Sequence, residues 1–152
     1  MKDKKRKTAI TNRQALRDYH VHRTYEAGLI LQGNEVKSLR DGGASLKGSF
    51  AKIDEGELFV YNMHINPYEY SREESDPLRR RKLLLHKTEI KQLEVKSTQQ
   101  GFALVPIKVY FHRGYAKIEI ALAKGKKLYD KRKSLKEKQV KREIDRAIRH
   151  KN

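Results

Sequence analysis

Between residues 18 and 123 the chain is governed by alternation of apolar and polar positions. From Asp18 to Gln32, Tyr19, Val21, Tyr25, Ala27, Leu29 and Leu31 alternate with His20, His22, Thr24, Glu26 and Ile30, the period of a strand with one covered face. Gly28 interrupts this run, and a glycine inside a long strand marks a bulge or a barrel corner. Ser49 to Ile53 and Glu57 to Ile65 read as two more strands, joined by Asp54, Glu55 and Gly56, whose turn chemistry suits a tight reversal. Phe102 to Phe111 and Tyr115 to Ala123 predict a hairpin about Arg113 and Gly114, with Ala103, Val105, Ile107, Val109 and Phe111 answering Ala116, Ile118, Ile120 and Leu122. Pro106 has no N–H to give to a ladder, which places it at an edge or a bulge.

Helical signals fall between the strands. Asn12 can cap a short turn through Ala15 and Leu16. The string GNEVKSLRDGG predicts a short helix with Asn34 as N-cap, Glu35 in the first turn, Val36 and Leu39 as anchors, Arg40 near the end and Gly42 or Gly43 as the stop. Leu83 to Gln100 reads as a longer helix that buries Leu83, Leu84, Ile90 and Leu93 and ends at Gly101. Antiparallel strands with interleaved short helices predict a mainly β fold, most economically a small closed or partly open barrel.

Charge changes the picture at the two ends. The formal net charge of +17 divides into +4 for residues 1–11, +4 for residues 12–123 and +9 for residues 124–152, so a nearly neutral body carries basic extensions. The last stretch, KGKKLYDKRKSLKEKQVKREIDRAIRHKN, holds 13 Lys or Arg against four acids. Its few apolar side chains cannot offset a backbone ordering cost of about 1–2 kcal/mol per residue, so it is expected to be disordered until it meets a polyanion. Val140, Ile144, Ala147 and Ile148 nevertheless fall on one narrow helical stripe. Three units follow: a disordered basic arm at 1–11, a barrel at 12–123 and a basic tail at 124–152. Arg79, Arg80, Arg81 and Lys82, in a loop that contains Pro67 and Pro77, form a second phosphate-seeking patch.

Composition also narrows the chemistry. With no Cys, disulfides, thiolate metal sites and Cys nucleophiles are excluded together. His20 and His22 share a face but lack further ligands at metal spacing, and Asp54 and Glu55 are turn residues without a nearby base or nucleophile. No stretch has the length of apolar residues a membrane span needs, and the first residues lack the apolar centre of a signal peptide, so a cytoplasmic protein is expected.

Three strings carry a family resemblance in matching order and spacing: YEAGLILQGNEVKSLR (Tyr25 to Arg40), DPLRRRKLLLHK (Asp76 to Lys87) and ALAKGKKLYDKR (Ala121 to Arg132). They resemble the small protein B family of SsrA-binding proteins, which bind tmRNA in bacterial trans-translation. The resemblance implies an oligonucleotide-binding-type (OB-like) barrel, no enzymatic activity, no cofactor or metal, and a tail that becomes helical on the ribosome. It implies two partners, the tRNA-like domain of tmRNA and the ribosome, at the small-subunit decoding centre and also at the large subunit. Neither a membrane partner nor a second copy of the chain is expected.

Residue by residue, the resemblance places Glu26, Leu84 or Leu85, and His86 on the tRNA-like RNA, and the basic residues Lys37, Arg40, Arg79, Arg80, Arg81 and Lys82 are expected to support them. Glu26 would accept from base or ribose donors, since a carboxylate repels phosphate. Leu84 is, on pattern alone, more simply core. Gly125, Asp130, Lys131 and Arg132 stand where the family uses its tail on the small subunit, together with Lys126, Lys127, Tyr129 and Ile148. Arg17 occupies the place where family members often have a stacking His, and its guanidinium plane can still stack. Two other classes fit parts of the pattern: a structural ribosomal protein with basic extensions, and an RNA-processing enzyme, for which the six His and 19 acids offer no motif-level grouping.

Overall fold

The structure, a computed structural model, describes residues 7–68, 76–126, 139–144 and 146. Among the described residues up to 126, nine strands and three helices follow one another as β1 (Lys7–Thr11), α1 (Arg13–Asp18), β2 (Tyr19–Leu29), α2 (Gly33–Arg40), β3 (Ala44–Ser45), β4 (Phe50–Asp54), β5 (Glu57–Tyr61), β6 (His64–Ile65), β7 (Arg81–Leu84), α3 (Lys87–Gln99), β8 (Ala103–His112) and β9 (Tyr115–Gly125). The large sheet runs β1-β8-β4-β5-β7-β2-β9, and β9 pairs back onto β8, so the antiparallel sheet closes into a ring as a barrel does. One edge of β8 is shared, by β4 at Leu104 and by β1 from Lys108 to Phe111. A two-stranded β3-β6 sheet lies beside the ring.

The core fills the ring with side chains that alternate inward: Tyr25, Ala27 and Leu29 from β2, Leu58 and Val60 from β5, Leu83 from β7, Val109 from β8, and Ile118, Ile120 and Leu122 from β9. Leu39 of α2 and Ile90 and Leu93 of α3 complete it. Asn12 caps α1 as its sequence position suggests, accepting from Ala15 N–H, and its Nδ2 also donates to the carbonyls of Leu46 and Pro106. Glu55 and Gly56, both at positive φ, make the two-residue turn of the β4–β5 hairpin, and Arg113 and Gly114 do the same between β8 and β9. Gly28 is a corner: it registers with Lys117 of β9 on one side and with Leu84 of β7 on the other.

Several elements differ from the pattern-based expectation. Residues 7–11 are not part of a disordered arm but form β1, because the late half of β8 offers an open edge that backbone groups satisfy. Residues 1–6 lie outside the described residues. The N-cap of α2 is Gln32 rather than Asn34, in a capping box where Glu35 accepts from the Gln32 N–H. The strand expected from Glu57 to Ile65 breaks at Asn62, which has φ of 59°. The bulge at Pro106 shifts the register so that Ile107 leaves the main cluster and packs, still buried, with Ala121, Ala123 and Tyr19 in a second, smaller core cluster. The helix expected from Leu83 starts at Lys87, since residues 81–84 form β7 between β2 and β5.

That last difference has an electrostatic cause. Arg81 points into the protein and is fully buried, and Glu35 beside it is only 3% exposed. Arg81 Nε donates to Glu35 Oε2 at 2.6 Å, NH1 to the Met63 carbonyl at 2.6 Å and NH2 to the Pro77 carbonyl at 3.3 Å. Arg79 donates to the other oxygen of Glu35. Arg81 therefore cannot belong to an exposed phosphate-seeking patch, because a charge without solvent must keep its partner. Burial alone would push the Glu35 carboxyl up. Hydrogen bonds from Gln32 N–H, Arg81 and Arg79, with the Arg81 charge, outweigh burial and hold it below its ordinary 4.5.

The tail is described at residues 139–144 and 146, which are helical with exposed side chains, in keeping with the spacing of Val140 and Ile144. Among the described residues no helix is long and apolar enough to cross a membrane.

Replacing Glu35 by Ala leaves Arg81 buried without a counter-ion and is expected to cost about 3–5 kcal/mol in urea unfolding. Because the folded-state value of Glu35 is depressed, its contribution is complete above pH 4.5 and disappears as pH falls through the lower folded value. Urea midpoints across that acid range should fall more steeply for the wild-type chain than for Glu35→Gln.

Candidate nucleic-acid interface

Strand alternation decides what β7 shows to solvent. With Arg81 and Leu83 inside, Lys82 and Leu84 face out, and Leu84 is 54% exposed although pattern alone assigns it to the core. It is placed there by Gly28: a Cβ on Gly28 would stand 3.3 Å from Leu84 Cβ and 3.5 Å from its Cδ1, so the absence of a side chain lets Leu84 lie across β2. Ile30, also exposed, continues this apolar surface, and its N–H donates to the Lys82 carbonyl at 3.1 Å. Leu85 is half-buried against the core, and His86 is exposed at the N-cap of α3.

Glu26 lies on the same outer face, two residues before Gly28, opposite Glu119 of β9. The Tyr110 hydroxyl donates to Glu26 Oε2 and orients the carboxylate, and Lys108 Nζ sits 3.0 Å from Glu119 Oε2. The face thus offers an oriented acceptor, an exposed aliphatic wall and the Lys117 cation across from Gly28. Such a surface can read donors on base edges or ribose and pack against an unstacked base, which phosphate attraction alone does not do. Sequence reasoning missed Tyr110, Lys108, Lys117 and Glu119, because their convergence comes from cross-strand pairing between segments far apart in the chain.

The basic residues assigned to this region are placed unequally. Arg80 NH1 donates to Asp54 Oδ2 at 3.0 Å and Lys82 Nζ lies 3.0 Å from Glu57 Oε1, both pairs at the surface. Arg79 is held by Glu35, and Arg81 is inside. Lys37 and Arg40 are on the exposed side of α2, where Lys37 Nζ is 5.1 Å from the Tyr68 ring centroid and the Arg40 guanidinium 5.2 Å from that of Phe111.

A different set gathers at the other end of β2. Tyr19 pairs with Gly125, and the Lys126 N–H donates to the Asp18 carbonyl at 2.8 Å, so the first residues of the tail are tied to the end of α1. Arg17 is next to this junction, with its side chain 53% exposed. At a strand rise of about 3.3 Å per residue this junction lies on the order of 30 Å from Gly28. The positions Lys127, Tyr129, Asp130, Lys131, Arg132 and Ile148 lie outside the described residues. His22 packs edge-on against Phe102 at 4.8 Å between centroids, and among the described residues no three His, Cys, Asp or Glu side chains are grouped to hold a metal.

The contrast between neighbours on β7 is testable by unfolding. Leu84→Ala should change stability by less than about 1 kcal/mol, whereas Leu83→Ala, at the buried neighbour, should cost about 2–5 kcal/mol.

Comparison with known proteins gives a consistent result. A family model described as SmpB protein matches residues 9–150. The SsrA-binding protein of Geobacillus thermodenitrificans (strain NG80-2) is 54% identical over 144 residues, covering 94% of this chain and 93% of that protein. That of Pelotomaculum thermopropionicum (strain DSM 13744 / JCM 10971 / SI) is also 54% identical, covering 94% of each. A solved structure described as "tmRNA-SmpB: a journey to the center of the bacterial ribosome" is 52% identical, with a TM-score of 0.66 over 78% of this chain and 85% of that one.

Proposed function

The chain belongs to the SmpB protein family, and on that premise we propose that it binds the tRNA-like domain of tmRNA (SsrA RNA) and delivers it to stalled ribosomes for trans-translation. It acts as a cytoplasmic binding protein that forms and breaks no covalent bond. The observation that carries this reading is the exposed Leu84, seated on Gly28 beside the Tyr110-oriented Glu26 carboxylate, a surface with no role in the core. Glu26, Leu84 and His86 hold the RNA, with the half-buried Leu85 between Leu84 and His86 and with Lys37, Arg40, Arg80 and Lys82 adding charge around them. Arg17, Gly125 and Lys126 start the ribosomal surface, which the tail extends through Lys127, Tyr129, Asp130, Lys131 and Arg132 to Ile148, in the decoding centre and the vacant message channel.

Division of labour follows from the separation along β2. The body grips one RNA while the tail, rooted at the opposite end, reaches another. Purifying the chain from cells with its bound RNA and sequencing that RNA tests the reading. One dominant species with a tRNA-like end is expected, and a ribosomal RNA mixture would instead point to a structural ribosomal protein.

Leu84→Asp should weaken binding of the tRNA-like RNA by about 2 kcal/mol or more in a filter-binding titration, since it puts a second carboxylate beside Glu26. Deleting residues 127–152, which spares the Lys126–Asp18 bond, should leave that binding within the few kcal/mol of lost phosphate contacts but abolish peptide tagging on stalled ribosomes.

Changing Asp130, Lys131 and Arg132 together to Ala lowers the net charge only from +17 to +16. Loss of tagging by this variant, but not by the triple Ala variant of Lys136, Lys138 and Lys141, is the expected sign of a specific contact rather than bulk attraction.

A further inference from the structure

A second outer surface of the ring is aromatic and open to solvent. Ala51, Leu58 and Val60 point into the core, so the cross-strand partners Phe50 and Tyr61, and Lys52 and Phe59, share the outer face of the β4–β5 hairpin. The Phe50 and Tyr61 rings are stacked, with centroids 5.3 Å apart and planes within 10°, and Phe50 is 42% exposed. Next to them the Arg80 guanidinium lies 4.1 Å above the Phe59 ring. Its NH1 donates to Asp54 Oδ2 at 3.0 Å and to Tyr61 Oη at 3.3 Å, two acceptors that hold the plane in place. On the far side of Phe50, β4 and β8 meet at Ala51 and Leu104, and the seam leaves a groove of about 370 Å³ walled in part by Phe50, Lys52, Thr98 and Phe102.

A cross-strand aromatic pair can serve the hairpin alone. That explanation covers neither the Arg80 plane fixed over Phe59 nor the groove that opens beside Phe50. We propose that this face is a stacking platform for unpaired bases of single-stranded RNA, adjoining the Glu26–Leu84 surface. Flat aromatic rings and guanidinium planes are the surfaces on which unstacked bases lie, whatever their sequence. The face is continuous with the first surface around the ring through β7, across the Lys82–Glu57 pair. Of the cations beside the rings, Arg80 and Lys82 are already paired with Asp54 and Glu57, which leaves Lys52, across from Phe59, to meet a phosphate while the rings hold bases. The choice of RNA rests on the function proposed above; the stacking chemistry rests on this face.

The chain contains no Trp, so Phe50→Trp places one reporter on the platform. The full-length variant is titrated with a single-stranded adenylate 12-mer and with a duplex RNA of the same length, in salt high enough to suppress tail binding. Saturable quenching by the single strand and none by the duplex is expected. Adding Tyr61→Ala or Arg80→Ala should weaken the single strand about tenfold, and Arg80→Lys should weaken it similarly, since Lys keeps the charge but not the plane. A cooperative urea transition whose folded baseline spans the titration conditions shows that each variant is folded, even where the midpoint falls with the loss of the cross-strand pair. Adding Leu84→Asp should leave the quench unchanged while lowering affinity for the tRNA-like RNA, which keeps the two surfaces distinguishable. Absence of quenching by the single strand, equal quenching by the duplex, or indifference to the Tyr61 and Arg80 changes would overturn the proposal.

Discussion

The buried ion pair between Glu35 and Arg81 sets the geometry on which the candidate interface depends. Side chains on a strand alternate with period two, so a slip of one residue in β7 would exchange its inner and outer faces. Arg81 prevents that slip. Its guanidinium finds acceptors in Glu35 and in the carbonyls of Met63 and Pro77, and Lys82 in its place, without a planar fork of donors, would leave some of those acceptors unfilled. A buried pair of this kind gives little net stability compared with apolar residues of the same volume. Its effect is to join α2, the segment after β5, the Pro77 turn and β7 in one arrangement. Leu83 then belongs to the core and Leu84 to the surface.

Glycine completes what the ion pair begins. At Gly28 the sheet turns from β9 to β7, and the strands approach closely enough that a Cβ would press on Leu84. An exposed aliphatic side chain supported from beneath by backbone is a rigid contact surface, since little freedom remains to be lost when a ligand arrives. Glu26 is prepared in a similar way by the Tyr110 hydroxyl. The pairings that build this face, β2 with β9 and β8 with β9, are the longest among the described residues, so it rests on the most extensively bonded part of the ring.

Charge is arranged on a different principle from shape. Five of the body's basic side chains are answered locally: Arg79 and Arg81 by Glu35, Arg80 by Asp54, Lys82 by Glu57 and Lys108 by Glu119. The excess of +9 belongs to residues 124–152, beyond or at the end of β9. A nearly balanced body recognises by fit and hydrogen bonding, while a cationic extension supplies long-range attraction that salt weakens. The attachment of the tail root to Asp18 keeps the two at opposite ends of β2.

By itself the sequence determined the strands with clean alternation, the tight reversals at Asp54–Gly56 and Arg113–Gly114, the Asn12 cap, an irregular place for Pro106 at an edge or a bulge, and the division between a neutral body and a basic tail. These are local properties, settled by backbone sterics, turn chemistry and counted charge. Its motifs also carried the family, because whole strings of residues matched in order. Tertiary structure decided the rest. In the run Leu78 to Leu85 one leucine precedes and three follow four consecutive bases without any periodicity, so nothing local says which Arg turns inward or whether the leucines begin a helix. Glu35, 46 positions away from Arg81, makes that choice. Residues 7–11 have a strand to join because the register of β8 leaves an edge open. Tyr110 meets Glu26, and Arg80 covers Phe59, through pairings that no window along the chain contains. Long-range burial of one charge thus placed the surface that local pattern had put in the core.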